Sequence, residues 1–488
     1  MSTPGLPTTN EEAWALAGEW SPDREMSAFE ALMWRMETDA RLRSTMTVVD
    51  VLDRAPDWER LVAAHDWASR LIPRFRQRVQ EPALQLGPPT WVDDSNFDLG
   101  YHLQRVALPE PGTERQLLDL AQAEAMAPFD RARSPWRALL VEGLEGGRAA
   151  YLLKLHHSVT DGQGGIQLLA LLHSRRREPS PEKAAPAARP GEEIDALRLL
   201  GAQARRAARE APLAAARGVQ EAAELWAHLV RRPWDGARRA AEFGRSLQRV
   251  LAPPSTVPSP LLSHRSLSWH FDALEVPLDD LKRAGKAAGG SLNDAYIATL
   301  LGGLRRYHEE LGSPIDALPM AMPISLRSGD HPMGGNRFAG ARFSAPVGVE
   351  DPADRIRMVH EFVLNAREEP AIDALGFAAP ALNRVPAPLV AQWYAGQTAK
   401  LDVQASNVAG LPWEAYIAGA KIERMLPFGP VPGCAVMATL LSYAGSCCIG
   451  INCDPAAVTD PALLTQCLRN GLDEVLALGE PAAATSVG

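Results

Sequence analysis

The spacing of apolar positions changes period several times along this chain, and the changes mark out three blocks. From about Glu25 to Leu172 both periods occur. Trp58–Leu71 repeats apolar residues at helical spacing, while Thr45–Leu52, Trp136–Val141 and Ala149–Leu155 are apolar runs of strand length. The last two flank Glu145-Gly146-Gly147, a hairpin turn signal. After Gly162 the residues Ile166, Leu169 and Ala170 return at helical spacing, so His156 and His157 close a strand and Asp161-Gly162 precedes a helix. Residues 174–192, rich in Arg, Glu, Pro and Ala, read as a solvated linker. Ile194–Leu251 is Ala- and Arg-rich with a helical period and stops at Pro253-Pro254. From Ser266 to about Leu478 the mixed pattern returns, with a helix over Asp294–Tyr307 and a buried hairpin over Ala435–Tyr443, Ala444-Gly445 and Ser446–Asn452. The expected organisation is therefore an N-terminal half (1–173), a linker and helical crossover (174–262), a C-terminal half (263–478) and a disordered tail (479–488), in the α/β class.

Composition narrows this picture in three ways. With 488 residues, 46% of them hydrophobic and 22% charged, the chain has the make-up of a globular protein large enough to bury its core without staples. Its net charge of −9 argues against a general nucleic-acid binder. All five cysteines, Cys434, Cys447, Cys448, Cys453 and Cys467, fall in the last quarter without metal-ligand or disulfide-framework spacing, and are expected to be buried thiols. No basic-then-apolar leader opens the chain. The charge-free stretch Met425–Cys453 is interrupted by Pro427, Pro430 and Pro432, short of the roughly 20 unbroken apolar residues of a spanning helix. A cytoplasmic protein is expected, either soluble or attached to one membrane face.

The candidate chemistry lies in His156-His157-Ser158-Val159-Thr160-Asp161-Gly162. Neighbours on a strand point to opposite sides, so the two imidazoles are poorly placed to share a metal ion. One ring can face the interior and the other a cavity. A neutral imidazole is the natural general base near pH 7. Asp161 follows across a short turn, and Gly162 is expected to supply a backbone conformation that other residues resist. Asn293 has two readings, as the cap of the helix that follows or as a site residue.

At these residues the sequence resembles the condensation-domain and chloramphenicol-acetyltransferase-like superfamily, whose motif is His-His-x-x-x-Asp-Gly. More narrowly it resembles the bacterial wax ester synthase/diacylglycerol acyltransferase family. Ser27-Ala28-Phe29-Glu30 through Glu37, Phe97-Asp98-Leu99-Gly100-Tyr101-His102, and Pro128-Phe129-Asp130-Arg131 through Trp136 are similar to family segments in the same order. So are Asn293-Asp294, Pro323-Ile324-Ser325-Leu326-Arg327 with Gly335-Asn336, and Ser406-Asn407-Val408-Ala409-Gly410-Leu411-Pro412. Ser134-Pro135-Trp136 departs from the family's proline-leucine-tryptophan, and Ala409 stands where proline is common.

The resemblance implies two mixed-sheet halves joined by a helical crossover, with a tunnel at their interface and the histidine at its middle. It implies acyl-CoA as co-substrate with no cofactor or metal, and diacylglycerol or a long-chain alcohol as acceptor. His157 would be catalytic. His156, Asp161, Gly162, Asn293 and Arg327 would support it, with Asp161 paired to Arg327 outside the tunnel, and Glu37, Trp136 and Asn336 would meet substrate; Trp136 also reads as core.

Two other functions fit the same residues: a carrier-protein-dependent condensation enzyme, and a lipid-binding protein without turnover. Gly236–Leu251 adds an expectation about partners. Phe243, Leu247, Val250 and Leu251 fall on one helical face and Arg238, Arg245 and Arg249 on the other. Such a basic amphipathic helix suits an anionic membrane or lipid-inclusion surface, or else a crossover packed on the globule.

Overall fold

The computed structural model describes residues 23–85, 87–179, 191, 194–206, 208–209, 256–325, 338–367 and 374–480. Two six-stranded mixed sheets organise them. The first has the order β11 (Tyr416–Ile417), β12 (Ala420–Phe428), β1 (Thr45–Leu52), β6 (Arg148–His156), β5 (Trp136–Leu144), β4 (Leu103–Ala107). The second runs β7 (His270–Pro277), β14 (Ser446–Cys453), β13 (Val436–Tyr443), β10 (Val403–Val408), β8 (Leu318–Ser325), β9 (Phe338–Ala345). A two-stranded ribbon, β2 (Gln77–Gln80) and β3 (Thr90–Asp93), stands apart. β4 pairs in parallel with β5, and β10 with both β8 and β13, while the other neighbours within the two sheets are antiparallel.

The helices are α1 (Ala28–Met36), α2 (Trp58–Leu71), α3 (Leu99–His102), α4 (Glu114–Met126), α5 (Gly162–Leu172), α6 (Leu278–Ala287), α7 (Leu292–Glu310), α8 (Pro352–Arg367), α9 (Ala374–Leu382), α10 (Ala387–Thr398) and α11 (Pro461–Ala477). Residues 196–206 are also helical. Two elements, Trp58–Leu71 and Thr45–Leu52, fold over the spans expected from the apolar period, and Gly146 and Gly147 turn the β5–β6 hairpin at φ 75° and 73°. In the late hairpin, Ala444 and Gly445 take φ 45° and 89°. All five cysteines are buried and unpaired. The amphipathic stretch Gly236–Leu251 lies outside the described residues, as does the tail beyond Glu480.

The strand partners depart from a simple division into halves. β11 and β12 come late in the chain yet complete the first sheet, β12 pairing along β1 from Thr47↔Phe428 to Leu52↔Ile422. β12 thereby joins the two sheets. Phe428 stacks on Phe271 of β7 at 4.0 Å between ring centres, and one apolar core runs through Val49, Leu152, Phe271, Phe428 and Cys448. A Cβ on Gly450 of β14 would stand 1.6 Å from the Pro427 carbonyl oxygen, so only glycine lets the two backbones approach this closely. Among the described residues no helix is long and apolar enough to cross a membrane.

Candidate active site

β6 ends at His156, which pairs with Thr45 on β1, and the motif continues as a turn into α5. The two histidines diverge as alternation requires. His156 is fully buried and His157 only half-buried. The His157 amide donates to the Ser44 carbonyl at 2.8 Å, which ties the turn to the residue just before β1.

His156 braces this turn from inside. The Ser158 amide donates to its Nδ1 at 3.0 Å, so the ring proton belongs on Nε2, which faces Glu37 Oε1 at 3.2 Å. Trp34 packs edge-on against the ring at 5.1 Å. Glu37 also accepts the Ser44 amide at 2.6 Å. Burial pushes the Glu37 carboxyl upward, but His156, the Ser44 amide and the Arg131 charge outweigh it and hold the group below the usual carboxylate range. Glu37 was a candidate for substrate contact; in the structure it supports His156.

A second brace was not foreseen. Arg74 is buried and its Nη1 donates to the Ser158 and Val159 carbonyls at 3.0 and 2.9 Å. The same nitrogen meets Glu30 Oε1 at 3.1 Å. Glu30 also closes the capping box of α1, taking the Ser27 amide at 3.0 Å. The cue in the sequence is one arginine inside the apolar run Leu71-Ile72-Pro73-Arg74-Phe75.

Asp161 caps α5, its Oδ1 accepting the Gly164 amide at 2.9 Å, and is itself buried. Its expected partner Arg327 lies outside the described residues, as does Asn336. The role expected of Gly162 is corrected. Its φ is not in the left-handed region. Space is the constraint instead, because a Cβ there would stand 3.0 Å from Cγ2 of Val408 on β10. The histidine motif thus touches the second sheet.

Asn293 approaches from that side too. The capping reading is overturned, since α7 is capped by Ser291, which forms a capping box with Asp294. Asn293 sits one turn-position earlier than Asp294, and its Oδ1 accepts from Asn407 Nδ2 at 3.4 Å. Asp294, almost wholly buried, receives the Ser291 amide at 2.8 Å and His360 Nδ1 at 2.7 Å. Trp136 is also corrected as a substrate contact: it is fully buried, donates its indole N–H to the Phe75 carbonyl at 2.9 Å, and stacks between Phe75 and His102 at 4.5 and 4.6 Å. Among the described residues no group of three or more His, Cys, Asp or Glu is placed to hold a metal ion.

The resulting arrangement is one half-buried imidazole on a doubly braced turn, with residues of the second sheet's β10 against the start of the following helix. It suits proton transfer at a hydroxyl held between two halves.

Comparison with known proteins agrees. The family description "Wax ester synthase/diacylglycerol acyltransferase catalytic domain" matches residues 26–296, and the family's C-terminal domain matches residues 334–475. A Mycobacterium tuberculosis protein provisionally named a diacylglycerol O-acyltransferase is 41% identical over 463 residues, covering 94% of this chain and 93% of its own. A second protein from that organism, given the same activity by name, is 27% identical over 445 residues, 87% of this chain and 89% of its own. Among solved structures, the wax ester synthase/diacylglycerol acyltransferase of Marinobacter aquaeolei superposes with a TM-score of 0.61 at 21% identity, over 93% of this chain and all of that one. The first condensation domain of the calcium-dependent antibiotic synthetase gives 0.60 at 14% identity, over 95% and 98%. At those identities the two structures establish the fold. On the two family matches and the 41% relative, the chain belongs to the wax ester synthase/diacylglycerol acyltransferase family and is an acyl-CoA-dependent O-acyltransferase.

Proposed function

We propose that His157 is the general base of this transfer and that diacylglycerol, a long-chain alcohol or both are the acceptors. The acceptor hydroxyl gives its proton to the His157 imidazole as its oxygen attacks the thioester carbonyl. The new C–O bond forms, the C–S bond breaks, and the imidazolium returns the proton to the departing CoA thiolate. The thioester is already activated, so no acyl-enzyme is required. The observation that carries this reading is the contrast within the motif: His156 is fully buried, with Nδ1 taken by the Ser158 amide and Nε2 facing Glu37 at 3.2 Å, while His157 is the half-buried ring of the pair.

The supporting roles of Asp161, Gly162, Asn293 and Arg327, an interface tunnel for substrates, and the division into halves at 1–173 and 263–478 around a crossover belong to the same proposal. So do a cytoplasmic location and peripheral contact with an anionic membrane or lipid inclusion, which would bring the enzyme to lipid-dissolved acceptors.

The test is product analysis by thin-layer chromatography, with purified protein, palmitoyl-CoA, and competing diacylglycerol and hexadecanol. Triacylglycerol or wax ester is expected from the wild type. His157→Ala should lower kcat by about 10²–10⁴ without changing the melting temperature. Equal turnover by the two proteins would remove His157 from the mechanism.

A further inference from the structure

The α9–α10 hairpin has two faces of different character. Inward, Val390, Ala391 and Ala395 bury against Leu32, Met33 and Met36 of α1. Asn383, between the two helices, ties this packing down. Its Nδ2 donates to the Ala28 carbonyl at 2.7 Å, and its own carbonyl accepts from Arg35. Outward, Leu389 and Trp393 stand one helical turn apart on α10 and are 58% and 51% exposed, with Val385 in the preceding turn 43% exposed. An exposed tryptophan beside exposed leucine and valine is the composition of a surface that faces something other than water.

The charge around this face selects the occupant. Residues 374–400 contain no Asp or Glu, and their only charged residues are Arg384 and Lys400, in a chain whose net charge is −9. Arg384 is exposed in the turn before α10, and Lys400 is exposed just after it. A face with an apolar centre, a tryptophan and cations at its ends matches the boundary between anionic head groups and acyl chains. A second copy of this acidic chain would bring no comparable attraction.

We infer that the outer face of the α9–α10 hairpin, centred on Leu389 and Trp393, docks this protein on an anionic lipid surface. The inference rests on the lipid-acceptor reading above and adds where the contact is made. The inner face of α10 packs on α1, whose last turn leads into Glu37 beside His156. The docking surface therefore lies one helix away from the brace of the catalytic turn.

Because all five native cysteines are buried, Leu389→Cys can be labelled selectively with an environment-sensitive fluorophore. Asp279→Cys on α6, where the native side chain is 81% exposed, serves as the control. Vesicles of mixed phosphatidylglycerol and phosphatidylcholine should blue-shift the label at position 389 and leave that at 279 unchanged. The double variant Leu389→Ser/Trp393→Ser should lose at least about tenfold in partitioning to these vesicles, as expected for removing two interfacial anchors. Its kcat on a short, water-soluble alcohol should stay within about twofold of the wild type, which keeps this question separate from that of His157. An unshifted label at position 389, or undiminished vesicle binding by the double variant, would overturn the inference. So would a blue shift that needs no lipid and grows with protein concentration, which would assign the face to contact between copies.

Discussion

His156 and His157 differ because the strand ends between them: one ring turns into a closed network and the other stays half-buried. That divergence was legible from alternation alone, but the partners of His156 were not. Glu37 lies far from His156 in sequence and meets it only because α1 ends beside the end of β6. The carboxylate of Glu37 has a measurable signature. The folded protein holds it below its ordinary value, so ionised Glu37 adds stability above its unfolded pKa of about 4.3, and that contribution is lost as the pH falls through the folded value. Melting temperatures of the wild type and Glu37→Gln should therefore differ most at neutral pH and converge from about pH 5 downward. A gap between the two curves that is constant from neutral to acid pH would show that Glu37 carries no such coupling.

At the scale of elements, α1 is the support of the turn that carries His156 and His157. Its first turn holds Glu30 against Arg74, its C-cap is Glu37, and both lines of contact end on residues of the motif. Half of this could be read in advance. Ser27 and Glu30 have the three-residue spacing of a capping box, a local signal, and Asp161 stands where a helix cap belongs. The partners of Arg74 could not be read, because it acts across 44 residues on Glu30 and across 84 on the Ser158 carbonyl. Gly162 was legible as a constrained position, but the constraint is the nearness of Val408 in another sheet. Arg74→Ala should cost about 3–5 kcal/mol, since it leaves Glu30 buried without its cation. Adding Glu30→Gln should recover part of that loss and yield a coupling energy in a double-mutant cycle. Denaturant titration measures both, and purely additive losses would show that the pair does not act as a unit.

For the whole molecule, the decisive feature is that β12 leaves the second half and completes the first sheet. Periodicity identifies strands, and for β1, β5, β6, β13 and β14 it gave the ends within a few residues, but it carries no information on which strand pairs with which. Sequential neighbours usually pair, as β11 does with β12, but β12 breaks that expectation on its other side by crossing to β1. The crossing places Pro427 and Phe428 against β7 and β14, so the halves share a core instead of meeting at a separable interface. Gly450 is a point of close approach, and its neighbour there is a backbone carbonyl that no side-chain rotation can move away. A methyl group at this position has to separate β14 from β12, disturbing the Phe271–Phe428 stack and the Asn452 amide bond to the Gly429 carbonyl. Gly450→Ala should therefore cost about 3 kcal/mol or more, the upper range for overpacking, although it adds one carbon. Gly340, an exposed strand glycine of the same sheet with nothing within 4 Å of its Cβ position, is the matched control and should tolerate alanine. Equal denaturation midpoints for the two variants would mean that the close crossing of β12 over β14 does not limit stability.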